Sequence, residues 1–197
     1  MTADGKIEIM IASSVYLFED QLKQICGLFE QKGYRPINSH YKTMPADPSK
    51  SNLENCLEAV RNCDVLFGII RPFYGTGIIG KTSITHEEMK LAITLKKPHW
   101  FVAHRDIRVA RALLKQYMFH NNGTVNKDFK YESTSLLDDI RVIDMYNNTI
   151  QEHIPPEQRI GHWTDEYFDL DDIIKVIQTQ FGDIERIKKI MASMKAL

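Results

Sequence analysis

The chain is 197 residues long, with 43% hydrophobic residues, 26% charged residues and a formal net charge of -1. That length suits one domain with an added helical arm, and the balanced charge excludes whole-chain electrostatic attraction to nucleic acid or an anionic membrane. The apolar runs are far shorter than the ~20 residues that cross a bilayer, and Met1 to Lys6 lacks the basic start and apolar core of a signal peptide.

Taken in order, Lys6 to Ala12 reads as a buried strand, and Phe18 to Lys32 as a helix stopped by Gly33, with Leu22, Ile25, Cys26 and Phe29 at helical spacing. Tyr34 to Asn38 reads as a short strand, and Pro36, which cannot donate to a ladder, predicts that it lies at a sheet edge. After a polar loop, Leu53, Cys56, Leu57 and Val60 mark one face of a second helix. Asp64 to Ile70 is a continuous apolar run, as expected of a central parallel strand. A third helix begins near Thr85, His99 to Ala103 reads as a fourth strand, and Ile107 to Met118 as a fourth helix.

Residues 121–133 read as an exposed loop, Leu136 to Ile150 as a helix, Pro155-Pro156 as a break, and Gly161 to Phe168 as a fifth strand. Asp169 can cap a helix through Ile173, Ile177 and Phe181, and an amphipathic helix follows Gly182. Its apolar stripe suits docking on its own domain better than a dimer contact. The alternation of strands and helices predicts a doubly wound α/β fold with a parallel sheet of about five strands, helices on both faces and a C-terminal helical extension. The expected boundaries are 1–181 for the α/β domain, with 118–160 as an irregular insertion, and 182–197 for the last helix. In such a sheet, ligands bind beyond the carboxyl ends of the strands. Here that rim comprises Ser13-Ser14, Arg71 to Gly80 and His104-Arg105.

The three cysteines, Cys26, Cys56 and Cys63, read as buried free thiols, which suits a cytoplasmic protein. Gly75 to Gly80 spells G-x-G-x-x-G, but the helix starts too late and no acidic residue follows at the required distance, so a loop over a cleft is expected. No Cys/His spacing suits a metal, and Ser13 has no nucleophile elbow around it. Phe73, Tyr74, Trp100 and Trp163 read as core or cleft walls.

The densest stretch is Ser83-Ile-Thr-His-Glu-Glu88. Thr85 and Glu88 have the spacing of a capping box, which explains every residue type there without chemistry. The same geometry would also hold an ionised carboxylate at a helix N-terminus, facing the rim. From there it could meet a ribose hydroxyl or the sugar C1′. Ser13, Ser14 and Tyr74 would add hydroxyls, and Arg71 a fork for phosphate.

Taken together, Ile9 to Ser14, Leu53 to Ile70, Tyr74-Gly75, Ser83 to Glu88 with Ala92, and Lys97-Pro98 resemble an uncharacterised TIR-like domain family. That family carries "SST", "CDxxIxIxGxRYG", "SxTHxEYxxA" and "GKP" motifs and is often fused to NTPase modules of bacterial defence and signalling proteins. It is similar in fold to TIR domains and nucleoside 2-deoxyribosyltransferases. The resemblance spans about residues 6–106 and implies a flavodoxin/TIR-like sheet. It places Glu88 at the position of the catalytic glutamate of TIR-type NAD hydrolases and deoxyribosyltransferases, beside Thr85 and His86. The chain departs from the motifs at Val15, at Arg71-Pro-Phe73 and at Met89, which replaces the family's tyrosine.

Two functions stay open. One is a nucleotide-binding or interaction domain in defence or signalling; the other is an N-glycosidase, NAD nucleosidase or deoxyribosyltransferase-like enzyme using Glu88. The ligand-binding set expected beside Glu88 is Ser13, Ser14, Arg71, Tyr74, Gly75, Thr85 and His86. No metal or obligatory cofactor is expected, and NAD or another nucleotide would serve as ligand or substrate. The expected partners are a nucleotide or nucleoside and either a second copy or another protein, not nucleic acid or membrane.

Overall fold

The computed structural model describes residues 5–75, 82–119, 126–161 and 163–195. In chain order these form β1 (Glu8–Ser13), α1 (Glu19–Gln31), β2 (Arg35–Ile37), α2 (Asn52–Asn62), β3 (Val65–Ile70) and α3 (Ile84–Thr94). There follow β4 (His99–His104), α4 (Arg105–Met118), α5 (Arg141–Thr149), a 3-10 turn at Pro156–Gln158, β5 (Thr164–Tyr167), α6 (Leu170–Phe181) and α7 (Ile184–Lys195). The five strands are all parallel, in the order β2-β1-β3-β4-β5. The expected α/β class and sheet size are thus observed, with β3 central and the proline-bearing β2 at an edge.

Strand side chains alternate between two cores, as the two-residue period of a strand requires. Ile9, Ile11, Val65, Phe67, Ile69 and Val102 face one core. It is closed by Leu22, Ile25 and Phe29 of α1, Ile173, Ile177 and Phe181 of α6, and Ile187 and Met191 of α7. Met10, Ala12, Leu66, Ile70, Phe101 and Ala103 face the other core, against α2, α3, α5 and Ile107 of α4. The last helix therefore lies on its own sheet layer. Gly68 is required at the centre of β3, because a Cβ there would lie 2.7 Å from Phe101 and 2.9 Å from Met89.

Three sequence expectations need revision. The helix predicted for 136–150 starts only at Arg141. Before it, Thr134 Oγ1 accepts from Leu137 N–H and Asp139 accepts from Arg141 N–H, so side chains take the bonds a helix would use. Trp163 is 66% exposed and forms neither core nor cleft wall. The helix after β4 starts at Arg105 because His104 Nδ1 accepts from Asp106 N–H. Thr76 to Gly80 of the glycine motif, and residues 121–125 of the predicted loop, lie outside the described residues. Among the described residues, no helix is long and apolar enough to cross a membrane.

Candidate functional site

The strand order reverses between β1 and β3, each of which continues to the sheet edge on its own side. A cavity of about 630 Å³ opens beyond their carboxyl ends, as expected at a topological switch point. Ser13, Ser14 and Tyr16 line it after β1, Asn38 and Met44 after β2, Asn55 and Cys56 from α2, and Phe73 and Gly75 after β3. Thr85 and Glu88 of α3 close one side. Among the described lining residues none is Lys, Arg or His, and the acidic ones are Glu88 and Asp138.

The start of α3 decides where Glu88 points. Ser83, not Thr85, is the N-cap, and its hydroxyl accepts from His86 N–H at 3.3 Å. The helix therefore begins before the expected Thr85–Glu88 capping box, which does not form. With Ile84 as the first helical residue, Glu88 falls beyond the first turn, where the dipole no longer holds a carboxylate ionised. Its side chain is buried, beside the Cys56 thiol. Burial pushes the Glu88 carboxyl up to about 8, with the Cys56 thiol acting in the opposite direction. The expectation of an ionised glutamate is thus reversed: away from the helix terminus desolvation dominates, and near pH 7 the group is mainly a neutral acid. Burial also pushes the Cys56 thiol up to about 12. Glu87 instead faces outward, in contact with Thr82 and 3.0 Å from Lys90.

The eight residues expected at the site divide into two groups. Ser13, Ser14, Gly75, Thr85 and Glu88 line the cavity, and Arg71, Tyr74 and His86 do not. Arg71 donates to the carbonyls of Ser14 at 3.1 Å, Tyr16 at 2.7 Å and Leu17 at 3.4 Å, between the rings of Phe18 and Phe73. Burial lowers its pKa. Its fork holds the β1–α1 loop and is not offered to a phosphate. Tyr74 Oη accepts from Ser83 N–H at 3.1 Å and shares a 2.8 Å bond with His86 Nδ1, whose Nε2 lies 3.2 Å from Asn148 Oδ1. All these atoms are satisfied when Tyr74 donates to Nδ1 and neutral His86 donates from Nε2. Burial, foremost, lowers the His86 pKa in keeping with that neutral form.

Sequence reasoning missed the two asparagines that shape the wall. Asn38 Nδ2 donates to Ile11 O at 2.9 Å while its Oδ1 accepts from Tyr41 N–H. Asn55 Oδ1 accepts from Asp47 N–H at 2.7 Å, and its Nδ2 donates to the Asp47 and Ser51 carbonyls. Together they fold the loop between β2 and α2 over the cavity. Asn55 carried a readable signal, because an inward asparagine within a helix needs a polar task. Gly75 has φ +84, and a Cβ on it would lie 3.0 Å from that of Ser14, so glycine lets the two loops meet at the rim. All three cysteines are buried and free. Among the described residues no group of three or more His, Cys, Asp or Glu side chains is placed to hold a metal ion.

The family model described as a domain of unknown function, DUF4062, matches residues 8–180. The chain belongs to the DUF4062 family. No curated protein matches this DUF4062 chain. Among solved structures it is similar to a 2-desoxiribosyltransferase from Leishmania mexicana, with 16% sequence identity and a TM-score of 0.39 over 75% of this chain and 99% of that one. A likeness of that degree says nothing about the cavity.

Proposed function

We propose that this DUF4062 domain binds an uncharged, nucleoside-sized molecule in the cavity above β1 and β3, with the Glu88 carboxyl as its polar anchor. The observation that carries this reading is a buried carboxyl, without a cationic partner among the described residues, lining a ligand-sized space. A neutral carboxylic acid can donate one hydrogen bond and accept others, which matches sugar hydroxyls and base edges. The Thr85 hydroxyl adds a neutral polar contact, and Ser13 Oγ, which donates to Ser14 O at 3.1 Å, adds an acceptor. A nucleotide or NAD would bring phosphates, and the described lining offers them no basic side chain.

The enzymatic reading rests on the same carboxyl. An acid that titrates close to neutral pH suits proton donation to a departing base as the C1′–N bond breaks, with water adding its hydroxyl to C1′ and returning its other proton to the Glu88 carboxylate. Binding is the primary proposal, and cleavage is its extension.

The test combines melting shifts with adenosine, uridine, AMP and NAD and chromatography of released base or nicotinamide, for wild type and Glu88→Gln. Nucleosides should raise the wild-type melting temperature more than AMP or NAD does, and Glu88→Gln should lose most of that shift. Base release by wild type that is lost in the variant would establish the enzyme. No shift with either nucleoside would overturn the reading.

A further inference from the structure

At the mouth of the cavity, Tyr16 is a tyrosine 65% exposed to solvent, and its neighbour Leu17 is 62% exposed. Other aromatic side chains of the chain are as exposed, but Tyr16 also lines the cavity, where a ligand can reach its ring. The segment around it is tightly held. Leu17 has φ +56, a left-handed conformation that crowds the Cβ of any non-glycine residue. The buried Arg71 holds this turn by donating to the carbonyls of Ser14, Tyr16 and Leu17. Ser14 Oγ donates to Phe73 O at 2.7 Å, tying the same turn to the loop after β3.

The product of these constraints is an aromatic corner. The rings of Tyr16 and Phe73 lie 6.0 Å apart with their planes at 72°, and both line the cavity. Arg71 sits 5.1 Å over the Phe73 ring, so it fixes both the backbone of one ring and the position of the other. Strain that surrounding bonds over-determine is a mark of pre-organisation. Glu88 and the rim hydroxyls lie in the same cavity. The apolar corner and the polar anchor therefore suit a ligand with one flat aromatic part and one hydroxyl-bearing part.

Resting on the cavity reading above, we infer that Tyr16 is the specificity-determining residue of this site, selecting ligands with a planar aromatic ring by stacking, and that Arg71 is the positioning residue that holds it. Stacking of a base on an aromatic side chain is worth ~1–3 kcal/mol by alanine substitution, or roughly 5- to 150-fold in affinity. Tyr16 is an exposed side chain, so its replacement leaves the cores untouched.

The experiment measures adenosine affinity by calorimetry for wild type, Tyr16→Phe, Tyr16→Leu and Tyr16→Ala, with melting temperatures recorded alongside. Tyr16→Phe should bind within about twofold of wild type, and Tyr16→Ala should bind at least roughly fivefold more weakly at an unchanged melting temperature. Tyr16→Leu should fall near alanine. Equal affinity in wild type and Tyr16→Ala would overturn the inference while the cavity reading stands. A loss in Tyr16→Phe as large as in Tyr16→Ala would assign the effect to the hydroxyl and overturn stacking. A wild type that binds neither adenosine nor uridine would overturn the cavity reading and this inference with it.

Discussion

Around the carboxyl end of β3, two sets of buried polar residues sit side by side, yet their side chains are used in opposite ways. Arg71, Tyr74 and His86 are bonded to carbonyls, an amide N–H and an asparagine, so little of their polarity is left for a ligand. Glu88 lines an open cavity, where burial raises its pKa and the Cys56 thiol opposes that rise. His86 and Glu88 are two positions apart on α3, hence about 200° apart around its axis, so they must face different neighbours. Burial of a polar residue alone therefore does not mark a site; what matters is where its hydrogen bonds go.

The largest expected effect that sharpens this contrast comes from Glu88→Gln. Unfolded, Glu88 releases its proton near 4.5; folded, it does so at about 8. Between those values folding takes up a proton, so wild-type stability falls as pH rises, by up to ~1.4 kcal/mol per pH unit, whereas glutamine removes that slope. Chemical unfolding of both proteins from about pH 4.5 to about pH 8.5 should show the variant gaining on wild type up to about pH 8 and then holding level. A difference that is flat across this range would place Glu88 in water.

A smaller effect is expected on the committed side. Tyr74→Phe removes the acceptor of Ser83 N–H and the partner of His86 Nδ1, costing about 2 kcal/mol in melting or denaturant experiments. Adenosine affinity should stay within about twofold. A roughly tenfold loss of affinity without loss of stability would bring Tyr74 into the site and dissolve the contrast.

The smallest effect is expected at Glu87, whose ion pair with Lys90 is partly exposed. Glu87→Gln should change stability by less than about 0.5 kcal/mol and leave affinity unaltered. A marked loss of ligand binding would show that the wrong glutamate of the pair has been placed at the cavity.

Much of the fold was legible because it follows from periodicity. The apolar run at 65–70 pointed to a strand buried on both faces, and Pro36 to a sheet edge, and both are observed. The site was legible as a place, since ligands gather at the switch point, but less so as a set of side chains. Motif spacing put Arg71, Tyr74 and His86 beside Glu88, and nothing in spacing says which face of a backbone each side chain takes. The cap is the clearest case. Spacing pointed to Thr85 and Glu88, whereas Ser83 caps the helix, its own N–H held by the Tyr74 hydroxyl from a distant part of the chain. That two-residue difference in register moves Glu88 from a helix terminus to a buried cavity wall and turns an expected anion into a neutral acid. Asn38 and Asn55 were illegible as a pair, because their shared task is to hold a loop between two distant segments.

The central claim is that a buried, largely neutral Glu88 faces a small-molecule cavity, and one titration tests it most directly. The side-chain carboxyl ¹³C shift of Glu88, assigned by difference against Glu88→Gln, would be followed from about pH 4 to about pH 10 with and without adenosine. The account predicts a midpoint near 8 in the free protein and a clear displacement of that curve by the ligand. A midpoint near 4.5 that adenosine leaves unmoved would contradict it.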